Sequence, residues 1–353
     1  MVVQVSETAE REERSVLEGT PVFALCKSIK LFERRLREGE EETMMRSAIS
    51  TAGISREEWL RMRKSGIGGS DAGAVCGLNP YSSPMKVYQD KISEEIIDLD
   101  NEAMRQGRDL EEYVARRFME ETGLKVRRSN KMYRNRDYPF MLADVDRLVV
   151  GEDAGLECKT ANAFQAGKWK EGQIPPHYLI QCLHYMAVTG KREWYIAVVI
   201  LGSGFQYQKI TWDDHVIQTL ITIEEAFWNQ HVIPRVMPEP DGSKACDEVL
   251  AKYYHSARKN SVVPLVGFDE KLERREALLK TIWELEQEQK QIEQEIKCFM
   301  QDNELAVNEK YRISWTNVDT TKLDTKRMKE ERPEVYRDFA RTTTSRRFTI
   351  KAA

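Results

Sequence analysis

The sequence predicts a mixed α/β fold for residues 51–235, and the order of its segments is the main reason. Segments of helical periodicity and segments of alternating apolar residues follow one another as helix, three strands, helices, two strands and helix. Glycines or a serine capping motif mark several of the boundaries. The composition is typical of a soluble globular protein, since 41% of the residues are hydrophobic and 32% are charged.

Each predicted element has a local signal. Ser55 and Glu58 have the spacing of a capping box, so a helix is expected to start after Ser55 and to run into a glycine-rich turn at 66–71. A longer helix is expected over about 101–122, with Gly123 as its C-terminal stop. The remaining predictions are strands at 125–128, 140–150 and 155–160, helices at 162–171, 176–189 and 213–230, and a hairpin of 194–201 with 205–212.

The regions on either side of this domain differ in composition. Charged residues dominate 1–50, which we expect to be a partly disordered or helical extension. Proline and polar residues at 236–265 predict a linker to a C-terminal appendage at 266–353. A helix at about 268–301 has a heptad seam interrupted by one glutamine. We interpret the seam as packing on its own domain, with a coiled-coil contact to another chain as the alternative.

Charge and cysteine spacing exclude several classes of protein. The net charge is −4, whereas a protein that binds nucleic acid by charge alone is usually basic. The six cysteines are widely spaced without a CxxC pair, which argues against a disulfide framework and against a zinc or iron–sulfur site. No apolar run approaches the roughly 20 residues of a spanning helix, and the N-terminus does not resemble a secretory signal. A reduced cytoplasmic protein without membrane partners is the expectation.

The segments at 141–150 and 155–160 combine acidic residues with a lysine. Alternation along the second strand places Glu157 and Lys159 on one face and Cys158 on the other. Asp146, on the neighbouring strand, can face the same pair. Such carboxylates can hold Mg²⁺, and a lysine beside them can orient a water and stabilise a phosphodiester transition state. The alternative is an ordinary cross-strand ion pair on a surface hairpin, because E-x-K alone is common.

The helix at 101–122 adds a third carboxylate. Met104, Val114 and Phe118 belong to its apolar stripe, which is expected to be buried. Glu111 lies in the middle of that stripe. A buried carboxylate is costly unless it is paired or bound to a metal ion, so Glu111 is a further candidate for the site.

Five short motifs follow one another along the chain, at 66–71 (GIGGSD), 107–111 (GRDLE), 146 (D), 157–159 (ECK) and 178–181 (YLIQ). Together they resemble the YqaJ viral recombinase family, relatives of lambda exonuclease within the PD-(D/E)XK nuclease superfamily. The resemblance covers about 50–235, and the run 342–350 is similar to the end of phage proteins of this family. It implies a YqaJ-type nuclease domain at 51–235, with a PD-(D/E)XK core in which helices flank a mixed central sheet.

The resemblance implies a set of metal ligands. Asp146 and Glu157 would bind the metal ion together with the main-chain carbonyl of Cys158. Arg147 follows Asp146, where the family often has glycine. Asp144, two residues away on the same face, is therefore the alternative ligand.

The resemblance also implies roles for residues around the metal ion. Lys159 would position the nucleophilic water, Glu111 would contribute to the metal or the water, and Gln181 would support the nucleophile or the substrate. Arg63 and Ser70 are seven residues apart, as are the residues that grip the 5′-phosphate in lambda exonuclease. A guanidinium and a hydroxyl suit a phosphate chemically. The alternative for Arg63 is a solvated helix residue.

The implied function is a Mg²⁺-dependent exonuclease on double-stranded DNA, with Mn²⁺ as a substitute. It would digest the 5′ strand and leave 3′ single strands for a single-strand annealing protein in phage-type recombination. Relatives form ring trimers, which implies a homo-oligomer, and a phage or prophage origin implies the cytoplasm of a bacterial host. An endonuclease of the same superfamily is the first alternative, and a catalytically inactive DNA-binding module is the second.

The end of the chain has a local excess of positive charge. Residues 321–353 contain ten Lys and Arg against five Asp and Glu, an excess of five in an otherwise acidic protein. We interpret this region as a contact to DNA or to the annealing partner. An ordinary solvated tail is the alternative.

Overall fold

A mixed five-stranded sheet lies at the centre of the N-terminal part of the protein. The computed structural model describes residues 46–351 except 97, 99 and 100. In spatial order the strands are β3 (Val126–Arg128), β6 (Arg147–Val149), β7 (Ala154–Ala161), β8 (Glu193–Ile200) and β9 (Gly204–Thr211). Strands β7 and β8 are parallel, and the other neighbouring pairs are antiparallel.

A second sheet of four strands continues from the first. Its spatial order is β1 (Arg46–Ser50), β4 (Lys131–Asn135), β5 (Met141–Asp144) and β2 (Ile67–Gly68). Strand β1 corrects the prediction of an irregular or helical extension at its last five residues, because they pair with β4. The rest of that extension, 1–45, lies outside the described residues. Only Val145 and Asp146 separate β5 from β6, so the chain passes from one sheet to the other at these two residues.

Seven α-helices are found in the described residues up to Tyr253. They are α1 (Arg56–Lys64), α2 (Gly69–Val75), α3 (Pro84–Ile92), α4 (Glu102–Thr122), α5 (Pro176–Thr189), α6 (Asp214–Phe227) and α7 (Lys244–Tyr253). The capping box of Ser55 and Glu58 at the start of α1 is present. Gly123 and Gly190 end α4 and α5 in the left-handed conformation, with φ of 74° and 61°. A 3₁₀ helix occupies Ala163–Gly172, and a π-helical turn at Trp228–Val232 extends α6.

The five-stranded sheet is covered on both faces, as expected for the predicted fold class. Alternate residues of β8 join different cores: Tyr195 and Ala197 pack with α4, and Ile196 and Val198 belong to the core that includes α5 and α6. The mixed α/β architecture with helices flanking mixed sheets is therefore confirmed. In contrast, Met104 of the predicted apolar stripe is 53% exposed, because the buried face of α4 begins only at Val114.

Helix α2 begins within the segment that was predicted as a glycine-rich turn. The carboxylate of Asp71 accepts a hydrogen bond from the backbone N–H of Gly68 and so caps the helix start. The glycines are needed for close packing on α5. A Cβ on Gly69 would meet the ring of Tyr185 at 2.4 Å, and a Cβ on Gly73 would meet His177 at 3.0 Å.

The chain divides into two compact units after Tyr253. Part of the segment 236–265, predicted as a linker, is helix α7, which packs on α3 through Cys246 and Val249 against Met85. The charged residues of α7 led to the prediction of a linker. Its apolar residues, however, recur at helical spacing, which explains why the segment forms a helix.

The second unit contains α8 (Asp269–Met300), the hairpin of β10 (Leu305–Val307) and β11 (Arg312–Ser314), and two short helices, α9 (Thr325–Glu331) and α10 (Pro333–Phe339). Helix α8 confirms the predicted long helix. Five apolar residues of its heptad seam are exposed, from 45% at Leu278 to 82% at Phe299, whereas Ile296 is partly buried. None of the described helices is both long enough and apolar enough to cross a membrane.

Candidate active site

Strand β7 presents a carboxylate and a lysine on one face. The ammonium of Lys159 lies 2.6 Å from Oε1 of Glu157 and donates to the side-chain oxygen of Gln181 at 3.0 Å. The amide of Gln181 donates to the same Glu157 oxygen at 2.7 Å and to the hydroxyl of Tyr185 at 2.9 Å. Cys158 packs against the opposite core, as the alternation predicts. Helix α5 therefore holds the two charged groups of β7 in fixed positions.

Asp146 joins this group from the connection between the two sheets. Its Oδ2 accepts a hydrogen bond of 2.8 Å from the backbone N–H of Cys158. Burial, the negative charge of Glu157 and that of Glu111 raise the pKa of Asp146 well above its ordinary value. Burial likewise raises the pKa of Glu157, although Lys159 opposes the shift. The site thus concentrates negative charge that is only partly neutralised.

These residues fit a divalent cation. Oε2 of Glu157 is buried and has no hydrogen-bond partner, which is costly for a carboxylate oxygen. A hard cation between Glu157 and Asp146 would satisfy that oxygen and relieve the repulsion between the two carboxylates. Among the described residues, no three His, Cys, Asp or Glu side chains group closely enough to form a site alone. A third ligand would have to come from elsewhere, and the family resemblance suggests the main-chain carbonyl of Cys158.

Lys159 is a permanent cation in this environment. Burial alone would lower its pKa, but Glu157 and Asp146 outweigh that effect and raise it. The ammonium also lies 4.6 Å from the ring centroid of Tyr178, a favourable cation–π contact. Lys159 can therefore orient a water and stabilise negative charge, but it does not accept a proton at neutral pH.

Glu111 has a partner that the sequence did not suggest. Its side chain is 26% exposed, and its carboxylate accepts a hydrogen bond from the guanidinium of Arg147. Arg147 is only 4% exposed and also bonds Glu112 at 2.9 Å. The sequence signal that could have indicated this ion pair is the charged residue Arg147 beside the apolar residues of β6.

The rival ligand Asp144 faces a different partner. Its Oδ2 accepts a 2.7 Å hydrogen bond from the indole N–H of Trp59. Burial raises its pKa, although Trp59 and Arg63 act in the opposite direction. Asp146, in contrast, lies against the backbone of Cys158. This arrangement favours Asp146 as the ligand.

The two residues assigned to the 5′-phosphate are in contact. The guanidinium of Arg63 donates to the hydroxyl of Ser70 at 2.8 Å. They line a cavity of about 110 Å³, together with Gly68, Gly69 and Gln181. Gln181 therefore links this cavity to the carboxylate–lysine group.

Sequence reasoning missed the residues that hold Arg63 in place. Asp71 lies 3.7 Å from Arg63 and 2.8 Å from the ammonium of Lys91, whose side chain is 1% exposed. Burial would raise the pKa of Asp71, but Lys91 and Arg63 lower it to about 2. A lysine on the apolar face of α3 was the available signal.

A second cavity adjoins the site. It measures about 360 Å³, and its lining includes Arg56, Trp59, Arg128 and both candidate aspartates. Trp59 lines both cavities, and its ring contacts two guanidinium groups, those of Arg56 at 4.3 Å and Arg63 at 5.0 Å from the ring centroid. Cationic groups thus surround the acidic centre, as a polyanionic substrate requires.

Comparison with known proteins identifies the family. Residues 58–192 match the family model described as the YqaJ-like viral recombinase domain. The uncharacterized protein YqaJ of Bacillus subtilis (strain 168) is 37% identical over 302 residues, which cover 84% of this chain and 95% of that protein. The chain belongs to the YqaJ family. The family predicted from the motifs is confirmed.

Solved structures with some similarity include two exonucleases. The alkaline exonuclease LHK-Exo from Laribacter hongkongensis, in complex with dAMP, is 21% identical to this protein with a TM-score of 0.45, over 56% of this chain and 98% of that chain. A phage-related exonuclease from Haemophilus somnus 129PT is 12% identical with a TM-score of 0.37, over 47% of this chain and 94% of that chain.

Proposed function

We propose that this protein is a Mg²⁺-dependent exonuclease that digests double-stranded DNA from its 5′ ends. The observation that supports this most directly is the contact between Arg63 and Ser70 in a cavity shared with Gln181. Mg²⁺ bound by Asp146 and Glu157 would lower the pKa of a water and neutralise charge on the scissile phosphate.

The other groups of the site position the reacting atoms. Lys159, held by Glu157 and Gln181, places a fixed positive charge beside the attacked phosphate and orients the water. The main-chain carbonyl of Cys158 would be the third ligand of the metal ion. Glu111 acts on this centre through Arg147, the guanidinium that it binds.

The Arg63–Ser70 pair provides selectivity for an end. A terminal phosphate monoester carries close to two negative charges, more than an internal diester. A guanidinium and a hydroxyl can bind its oxygens through charge-assisted hydrogen bonds. Asp71 and Lys91 keep the guanidinium directed towards Ser70. The 5′ end of a DNA strand therefore fits the cavity better than an internal phosphodiester does.

Kinetics on two linear duplexes test this proposal. Wild-type protein is expected to digest 5′-phosphorylated duplex about 10- to 100-fold faster than 5′-hydroxyl duplex, the range for loss of one charged hydrogen bond. Arg63→Ala is expected to remove this preference while lowering the rate on the hydroxyl substrate much less. Arg61→Ala is the matched control, because Arg61 on the same helix is exposed and pairs with Glu57. Equal wild-type rates on the two ends would contradict the phosphate pocket.

An endonuclease is distinguished by its action on closed circles. The exonuclease proposal expects relaxed covalently closed DNA to survive while linear DNA of the same sequence is degraded. Cleavage of the circle at a comparable rate would support the endonuclease.

The partners are part of the same proposal. The 3′ single strands would pass to a single-strand annealing protein, and the protein would form a homotrimeric ring around DNA, as the family resemblance implies. Light scattering after gel filtration measures the mass of the assembly. A monomer at micromolar concentration would contradict the ring but not the nuclease.

A further inference from the structure

Arg147 is a buried cation inside the acidic cluster. Its guanidinium donates to the carboxylates of Glu111 and Glu112 and, at 2.8 Å, to the main-chain carbonyl of Asp146. The side chain is 4% exposed. A guanidinium with three acceptors around it and almost no contact with solvent is held firmly in place.

This cation contacts both the carboxylate of Glu111 and the main-chain carbonyl of Asp146. A metal ion that captured Glu111 would deprive Arg147 of one carboxylate, and a buried guanidinium without its partner is strongly unfavourable. Glu112 could not compensate alone, because its carboxylate also binds Arg128.

The carboxylate oxygen that lacks a hydrogen-bond partner belongs to Glu157 and not to Glu111. Oε2 of Glu157 is buried and has no hydrogen-bond partner, whereas the carboxylate of Glu111 is occupied by Arg147. Within the described part of this site, the unsatisfied oxygen that a cation could bind is therefore that of Glu157, beside Asp146.

We infer that the protein binds a single divalent cation, between Asp146 and Glu157, and that Arg147 permanently replaces a second one. The inference rests on the proposed metal-dependent nuclease. In a two-metal nuclease, the second ion stabilises an oxygen of the displaced group. Here the fixed guanidinium would neutralise charge on that side of the centre, and Glu111 would serve as its positioning residue rather than as a metal ligand.

Calorimetric titration of the full-length protein with Mn²⁺, without DNA, measures the number of ions directly. A single Mn²⁺ per chain is expected, with a mononuclear electron paramagnetic resonance spectrum. Asp146→Asn and Glu157→Gln are expected to weaken Mn²⁺ binding by about 10-fold or more, whereas Glu111→Gln, which keeps an oxygen for Arg147, changes it by less than about 3-fold.

Arg147→Met provides the opposite test. Removal of the guanidinium frees Glu111, and a second, weaker Mn²⁺ site is expected to form. Circular dichroism and thermal unfolding verify that this variant folds. If it does not fold, the Glu111→Gln titration decides on its own.

Two results would overturn the inference: two Mn²⁺ ions per wild-type chain, or a loss of affinity in Glu111→Gln as large as that in Asp146→Asn. Either result leaves a metal-dependent nuclease intact. The failure of the proposed function is distinguishable, since it would show as no Mn²⁺ binding sensitive to Asp146 or Glu157.

Discussion

Asp144 and Asp146 are two residues apart and have different surroundings. Asp144 accepts a hydrogen bond from Trp59, whereas Asp146 is held by the backbone of Cys158 beside Glu157. In a sequence both aspartates fit the same motif. The difference between them depends on where β5 ends and on which side chain reaches it from α1, and neither is a local property of the sequence.

A pair of substitutions separates the two aspartates. Asp146→Asn is expected to lower the cleavage rate by more than about 100-fold, because several kcal/mol of transition-state stabilisation depends on the metal ion. Asp144→Asn, its matched control, keeps an oxygen for Trp59 and is expected to retain at least about a third of the rate. The reverse order of effects, in steady-state rates on one phosphorylated duplex, would assign the ligand to Asp144.

The spacing of residues on one strand explains how much of the site could be predicted. Glu157 and Lys159 share a face because side chains alternate along any strand, and Gln181 follows from the family motif. The partner of Glu111 could not be predicted, because Arg147 reaches it only through the packing of α4 on the central sheet. Residues that act through long-range ion pairs leave no spacing in the sequence.

Helix α2 depends on one buried ion pair. Asp71 caps the backbone of Gly68 and binds Lys91, which also contacts Asp90 at 3.1 Å. Because the folded-state pKa of Asp71 is lowered from 3.8 to about 2, its contribution to stability is complete above pH 3.8 and is lost as the pH falls through about 2.

Asp71→Asn tests this element. It is expected to lower the free energy of unfolding by about 2 kcal/mol at pH 7, with a deficit that narrows as the pH falls below about 4. Urea unfolding at pH 7 and at pH 3 measures both values. The control is Asp90→Asn, since Asp90 is half exposed and should cost less than about 0.5 kcal/mol. A deficit that does not change with pH would assign the effect to packing instead.

Elements with a long periodic pattern were predicted correctly, whereas some of the short ones were missed. Helices α4 and α8 and the hairpin of β8 and β9 each extend over many residues of one period. Strand β1 and helix α2 are short, and their composition is typical of an extension and of a turn. Tertiary contacts decide their structure, through β4 for the strand and through α5 for the helix.

Hydrophobic cores are distributed unequally between the two units. The three buried clusters lie within residues 67–249, whereas among the described residues after Tyr253 only Met300 is buried. The first unit therefore contains the side chains that a stable fold requires. The second unit consists mainly of a long helix with exposed apolar residues and a basic C-terminal region.

Truncation after Tyr253 tests this division. We expect the shortened protein to remain folded, with a melting temperature within a few degrees of wild type, and to cleave short duplexes at a similar rate. On duplexes of several kilobases, digestion is expected to be slower, because the ten Lys and Arg of 321–353 are gone. A soluble truncated protein that is inactive on short duplexes would place the second unit within the catalytic fold.

The two-residue connection between the sheets has a consequence for how this gene can change in length. Turns such as the one around Gly151 can gain or lose a residue while the strands beside them keep their pairing. An insertion at Val145 or Asp146 cannot be accommodated in this way, because β5 and β6 are paired in separate sheets on either side of these two residues. It would move the aspartate away from Glu157 even if both sheets stayed intact. Among related genes, insertions and deletions should therefore be absent from this position, however far the surrounding residues diverge.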